Sequence, residues 1–205
     1  EGFDDGKYNG ILVSSIILLG EVGNNESSLD LILECCRQSE GFYDYHFGDF
    51  ANEIIVPTLY KLVTPDKFAK LLEFMKEPGL YSIFKYYVSC TMAQLARRKP
   101  EQRQACLEWF SSLITFATEI LPKVQYIDGR LAGFITADAV SLHTEELLPG
   151  LKAMYATGCV DQQICGGIDE VEKLILHERD KDVFKPSHFE VHERFADMKS
   201  RFGNS

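Results

Sequence analysis

Positive charge is scarce in the first part of this sequence. Residues 1–60 hold 11 acidic side chains against 2 basic ones, a net of −9, while the whole chain of 205 residues carries −10. A surface of that sign repels nucleic-acid phosphates and anionic membranes, and suits a basic partner. A plainer reading is that the acids keep the protein in solution. Long apolar runs are missing as well. The one early run, Ile11 to Leu19, is too short to cross a bilayer. Its upstream flank sets Asp4 and Asp5 against Lys7, so it lacks the basic start of a signal peptide. Together these features predict a cytoplasmic protein with neither membrane nor nucleic acid among its partners.

The motifs of common chemistry are also absent. There is no C-x-x-C pair among Cys35, Cys36, Cys90, Cys106, Cys159 and Cys165, and a large helical domain needs no disulfide staple. Cys90 and Cys106 fall inside apolar helical patterns, where a free thiol behaves as a small hydrophobe, so all six are expected reduced. No G-x-S-x-G elbow supplies a nucleophile. Cys165-Gly166-Gly167 lacks the lysine and the spacing of a phosphate loop. Cys35-Cys36 lies beside Glu34, whose charge works against a reactive thiolate. His188 and His192 stand at i, i+4 and on a helix would share one face, but no third ligand stands at a standard spacing. No catalytic residue, cofactor or metal ligand is therefore assigned. Asp138 falls on the apolar stripe of Leu131, Phe134 and Ile135, where a hydrogen bond to a neighbouring helix end is the favoured role. Arg97, Arg98, Lys99 and Arg103 form the one basic cluster, read as a helix cap paired with nearby acids rather than a nucleic-acid patch.

What the sequence does contain is helical periodicity. Thr64, Pro65 and Asp66 open a helix, and Phe68, Leu71, Leu72 and Met75 follow on one face. Pro78-Gly79 closes it. Phe84, Val88, Thr91 and Leu95 mark the next helix, and the long one after Pro100 carries apolar residues on two sides. Ile11–Leu19 and Leu29–Cys36 read as a pair, as do Leu131–Leu142 and Glu145–Ala156, with a further helix at Ile168–His177. No alternating run predicts a strand. An acid, two or three aliphatics, a proline, one residue and an aliphatic recur around Pro57, Pro122 and Pro149. The recurrence predicts kinked helices curving around one another.

That pattern resembles the first helix of a HEAT repeat. Two blocks, Gly48-Asp49-Phe50-Ala51-Asn52-Glu53 into Pro57 and Leu59, and Ala137-Asp138 through Glu145-Glu146-Leu147-Leu148-Pro149 to Val171, resemble a family of uncharacterised bacterial HEAT-like proteins. The resemblance implies an all-α, right-handed α-solenoid of stacked helix pairs, with a HEAT-like domain over 1–178 and a tail with a short helix over 179–205. Some relatives carry a cysteine-rich zinc motif of the SEC-C type after the helices; the tail here has no cysteine, so that site does not carry over. The family brings no catalytic residues.

The function this implies is a non-enzymatic protein–protein interaction scaffold using a concave helical face. The alternatives are an enzyme or metal-binding protein with a site assembled from distant side chains, and a structural subunit of an assembly. The candidate partner-binding residues are Tyr43, Asp44, Tyr45, Phe47, Asp49 and Glu53. They belong to a segment between helices, residues 42–50, with five aromatic rings in nine residues. Rings beside acids suit a basic or amphipathic protein or peptide. The same rings could instead fill the gap between helix pairs as a buried connector.

Overall fold

The structure is a computed structural model, and it describes residues 10–23, 26–123, 126–177 and 189–202; inside the helices the side chains of residues 26, 49, 198, 199, 201 and 202 are not described. Every regular element among the described residues is helical. In chain order they are α1 (Gly10–Val22), α2 (Glu26–Cys36), α3 (Glu40–His46), α4 (Ala51–Leu62), α5 (Phe68–Lys76), α6 (Ser82–Arg98), α7 (Arg103–Ile120), α8 (Gly129–Val140), α9 (Leu148–Ala156), α10 (Gln162–Cys165), α11 (Ile168–His177) and α12 (Val191–Phe202). Single 3₁₀ turns precede α4, α5, α7 and α9 and follow α7. The chain divides into two units, residues 1–62 with 182–205, and residues 63–181.

In the first unit α1 lies along α4 and also touches α3 and α12, while α2 packs on α4. The buried side of α1 is Val13, Ile16, Ile17 and Gly20. Gly20 lets α1 approach α4 closely: a Cβ there would come within 3.3 Å of the Thr58 backbone, and one of the helices would have to shift by a few tenths of an ångström. α4 is buried nearly all round, by Ala51, Ile54 to Leu59, and Leu62. Its Pro57 removes the N–H that would reach the Glu53 carbonyl. Of the three recurring prolines only this one lies inside a helix. Pro122 falls in the 3₁₀ turn that ends α7, and Pro149 stands in the first turn of α9, where a missing N–H costs nothing. Recurrent kinking is thus not the role of that pattern; two of its three prolines punctuate helix ends.

The second unit is built on α6. From Phe84 to Ala96 every residue but Tyr86 is buried, with α7 and α8 packed against it. α7 in turn meets α5 and α9, α8 meets α10 and α11, and α11 meets α9. The two apolar sides of α7 read from the sequence correspond to these several neighbours. α5 ends at Lys76, just before the expected Pro78-Gly79 stop, and Gly79, with a φ of 73°, takes the left-handed turn toward α6 that glycine tolerates. Asp128 caps α8 by accepting from Leu131 N at 2.7 Å, and its other oxygen accepts from Ser82 Oγ at the start of α6. Trp109 Nε1 donates to the Phe68 carbonyl at 3.1 Å, tying α7 to the start of α5. All six cysteines are free thiols.

Candidate functional site

The aromatic segment is largely a helix rather than a connector. Ser39 has extended backbone and its hydroxyl accepts from Phe42 N at 3.2 Å, Glu40 supplies an acid in the first turn, and α3 follows as far as His46. The helix divides the rings between two environments. Phe47, which closes α3, is only 3% exposed. Phe42 packs its ring 4.5 Å from the His46 imidazole and 6.1 Å from Phe47, and Tyr43 lies 6.5 Å from Phe47. Tyr45 points the other way, 37% exposed, against the edge of His46 at 4.7 Å. Asp44 is exposed as well, and Tyr43 and Glu53 are half-buried. The Asp49 side chain lies outside the described residues. Of the six candidates the fold therefore leaves Asp44 and Tyr45 most available at the surface, while Phe47 is core. Burial pulls the His46 imidazole below its ordinary value, and its Nδ1 is enclosed with no hydrogen-bond partner among the described residues.

A second polar feature of this unit was not visible in the sequence. Arg194 of α12 is 6% exposed, and its Nη2 donates to the Ile54 carbonyl at 2.8 Å and to Thr58 Oγ1 at 2.9 Å. The Thr58 hydroxyl lies 2.8 Å from the Ile54 carbonyl and 3.3 Å from the Ile16 carbonyl. One node thus joins α1, α4 and α12. Arg194 Nε and Nη1 are enclosed without a hydrogen-bond partner among the described residues. Burial pulls the guanidinium down to about 10, with Glu21 acting in the opposite sense, so it stays charged at neutral pH. Glu21 is itself ion-paired with Lys61.

In the second unit Asp138 of α8 lies against Ser89 of α6. Its Oδ2 and the Ser89 Oγ of α6 are both enclosed, and neither has a hydrogen bond of normal geometry among the described residues. Burial pushes the carboxyl up to about 8; Ser89 and Arg97 pull the other way and do not prevail. An open recess of about 550 Å³ is lined by His143, Thr144, Glu145, Glu146 and His177. His143 there has a φ of 46°, unusual for a residue with a Cβ.

No protein-family model, curated protein or solved structure matches this chain.

The chemistry available is therefore read from the side chains alone. Among the described residues no group of three or more histidine, cysteine, aspartate or glutamate side chains converges as metal ligands would. His188 lies outside the described residues, and His192 is exposed. Two of the thiols are held protonated: burial chiefly, and Glu34 next, raise Cys35, and burial pushes Cys106 up to about 12. The basic cluster makes local bonds. Arg98 Nε donates to Gln94 Oε1 at 3.0 Å, and Arg103 Nη2 donates to the Leu142 carbonyl at 2.6 Å, just beyond the end of α8. No helix among the described residues is long and apolar enough to cross a membrane.

Proposed function

We propose that the protein is a non-enzymatic interaction module of HEAT-like stacked helix pairs, whose acidic first unit receives a basic or amphipathic segment of a protein partner. The charge distribution carries this reading. The first unit holds 15 acidic against 7 basic side chains, the second 16 against 14. A field concentrated in one unit steers a cationic partner toward that unit and speeds its encounter. At the surface of this unit Asp44 and Tyr45, consecutive on α3, are both exposed and offer a carboxylate and an aromatic ring to lysine or arginine side chains. The stacking part of the reading is supported by alternation: α5 with α7, α7 with α9, and α6 with α8, as successive helix pairs laid on one another would give.

The test pairs two substitutions with affinity capture from the native cell. Tyr45→Ala is expected to leave the melting temperature unchanged and to reduce capture of a defined partner, and the native capture is expected to weaken as salt rises. Phe47→Ala is expected to cost about 3 kcal/mol of stability, because it empties a core site. Capture indifferent to salt and to Tyr45 would overturn the reading. The recess at His143 and His177 favours the alternative of a small-molecule site; stabilisation by one metabolite, lost in His143→Ala, would establish that instead.

A further inference from the structure

α1 has two apolar sides, and among the described residues only one of them is buried. Val13, Ile16, Ile17 and Gly20 are buried, while Ile11 is 75% exposed, Leu18 47% and Val22 74%. These three recur at i, i+7 and i+11, so they line one stripe on the outside of the helix, with the hydroxyl of Ser15 between them. A surface helix ordinarily presents polar residues on that side. The stripe spans about 17 Å, three turns, which is the length over which a helix is gripped through its apolar anchors.

We propose that this stripe is the docking face for a basic amphipathic helix of the partner, and the proposal rests on the interaction reading above. The committed occupant follows from charge. α1 and α2 contain no basic residue. Asp30 and Glu34 are exposed on α2; Arg37 is paired with Glu34, and Lys61 with Glu21. An apolar stripe in such a field attracts an apolar helix flanked by lysine or arginine. It disfavours a second copy of the same acidic unit, and it disfavours anionic lipid. The unit already accommodates a helix of this kind, since α12 lies against α1 and seats Arg194 on the Ile54 carbonyl of α4.

The experiment uses the full chain and a synthetic amphipathic helix of leucine and lysine, with its leucine–glutamate counterpart as control. Titration calorimetry is run on the native protein, on Tyr45→Ala and on the triple variant Ile11→Ser, Leu18→Ser, Val22→Ser. The triple change removes only exposed apolar groups and should leave the melting temperature within a few degrees of native. The lysine helix is expected to bind, to bind about tenfold more weakly to the triple variant, and to be little affected by Tyr45→Ala; the glutamate helix should not bind. Equal binding of the lysine helix to native protein and triple variant would overturn the α1 proposal while leaving the interaction reading standing. No binding of the lysine helix to any form would remove both. Self-association in sedimentation, or flotation with phosphatidylcholine vesicles, either one abolished by the triple variant, would assign the stripe to a second copy or to lipid and overturn the proposal.

Discussion

Each unit buries one basic side chain among its described residues, and the two are buried differently. Lys85 of α6 is fully enclosed, and its ammonium donates to the Met75 carbonyl at 2.9 Å, the Tyr126 carbonyl at 2.7 Å and the Glu77 carbonyl. Three donors meet three acceptors, two of them carbonyls at the end of α5 that no further helical turn can satisfy. Arg194 in the other unit commits one nitrogen and leaves Nε and Nη1 enclosed without a hydrogen-bond partner among the described residues. A buried cation matched donor for donor works as a fastener, whereas one matched in part carries a desolvation cost that its contacts only partly offset. The comparison separates a unit held by polar matching from one whose last helix is held more loosely.

The sharpest test of that difference is Lys85→Met. The volume is nearly kept, but three carbonyls lose their donor, and the loss of stability is expected to be about 3 kcal/mol or more; a urea midpoint close to the native one would break the comparison. Asp138→Asn probes the place where the second unit departs from full matching. The unfolded carboxyl titrates near its ordinary 3.8 and the folded one near 8. Between those values the folded state holds the extra proton, so stability falls as pH rises through the window and levels off above it. The asparagine variant lacks that slope, and at pH 8 it should exceed the native protein by about 1 kcal/mol or more. Parallel stabilities of the two proteins from pH 5 to pH 8 would contradict this. The smallest effect is expected from Arg194→Met. The Ile54 carbonyl keeps the Thr58 hydroxyl, no buried charge remains, and the change should stay within about 1 kcal/mol in either direction. A loss as large as that of Lys85→Met would erase the distinction between the units.

Much of the helical order was legible because it depends on local chemistry. Ile168–His177 is α11 residue for residue, Pro100 opens the 3₁₀ turn before α7, and Gly79 lies in the turn between α5 and α6. The prolines at 122 and 149 were misread because the same short pattern suits a kink, a helix end and a helix start, and only the neighbouring helices decide among them. The helix at 40–46 had a signal in Ser39-Glu40, a cap hydroxyl followed by an acid, that the density of rings obscured. Lys85 and Arg194 were not legible at all. Their partners are backbone carbonyls up to 41 and 140 residues away, and a carbonyl leaves no mark in a sequence. The exposure of Tyr45 and the burial of Phe47, two residues apart, likewise follow from where α3 lies rather than from residue type.

The chain has one tryptophan, Trp109, and it belongs to the second unit, 4% exposed, its indole N–H bonded to Phe68 and its ring edge-on to Phe110 at 5.2 Å. Its emission therefore reports on that unit alone, while far-ultraviolet dichroism reports on all the helices. If the two signals melt together, the units unfold as one cooperative body; if the dichroism begins to fall while the indole still emits as a buried ring, the acidic unit opens first. The protein thus carries its own colour filter for telling its two halves apart.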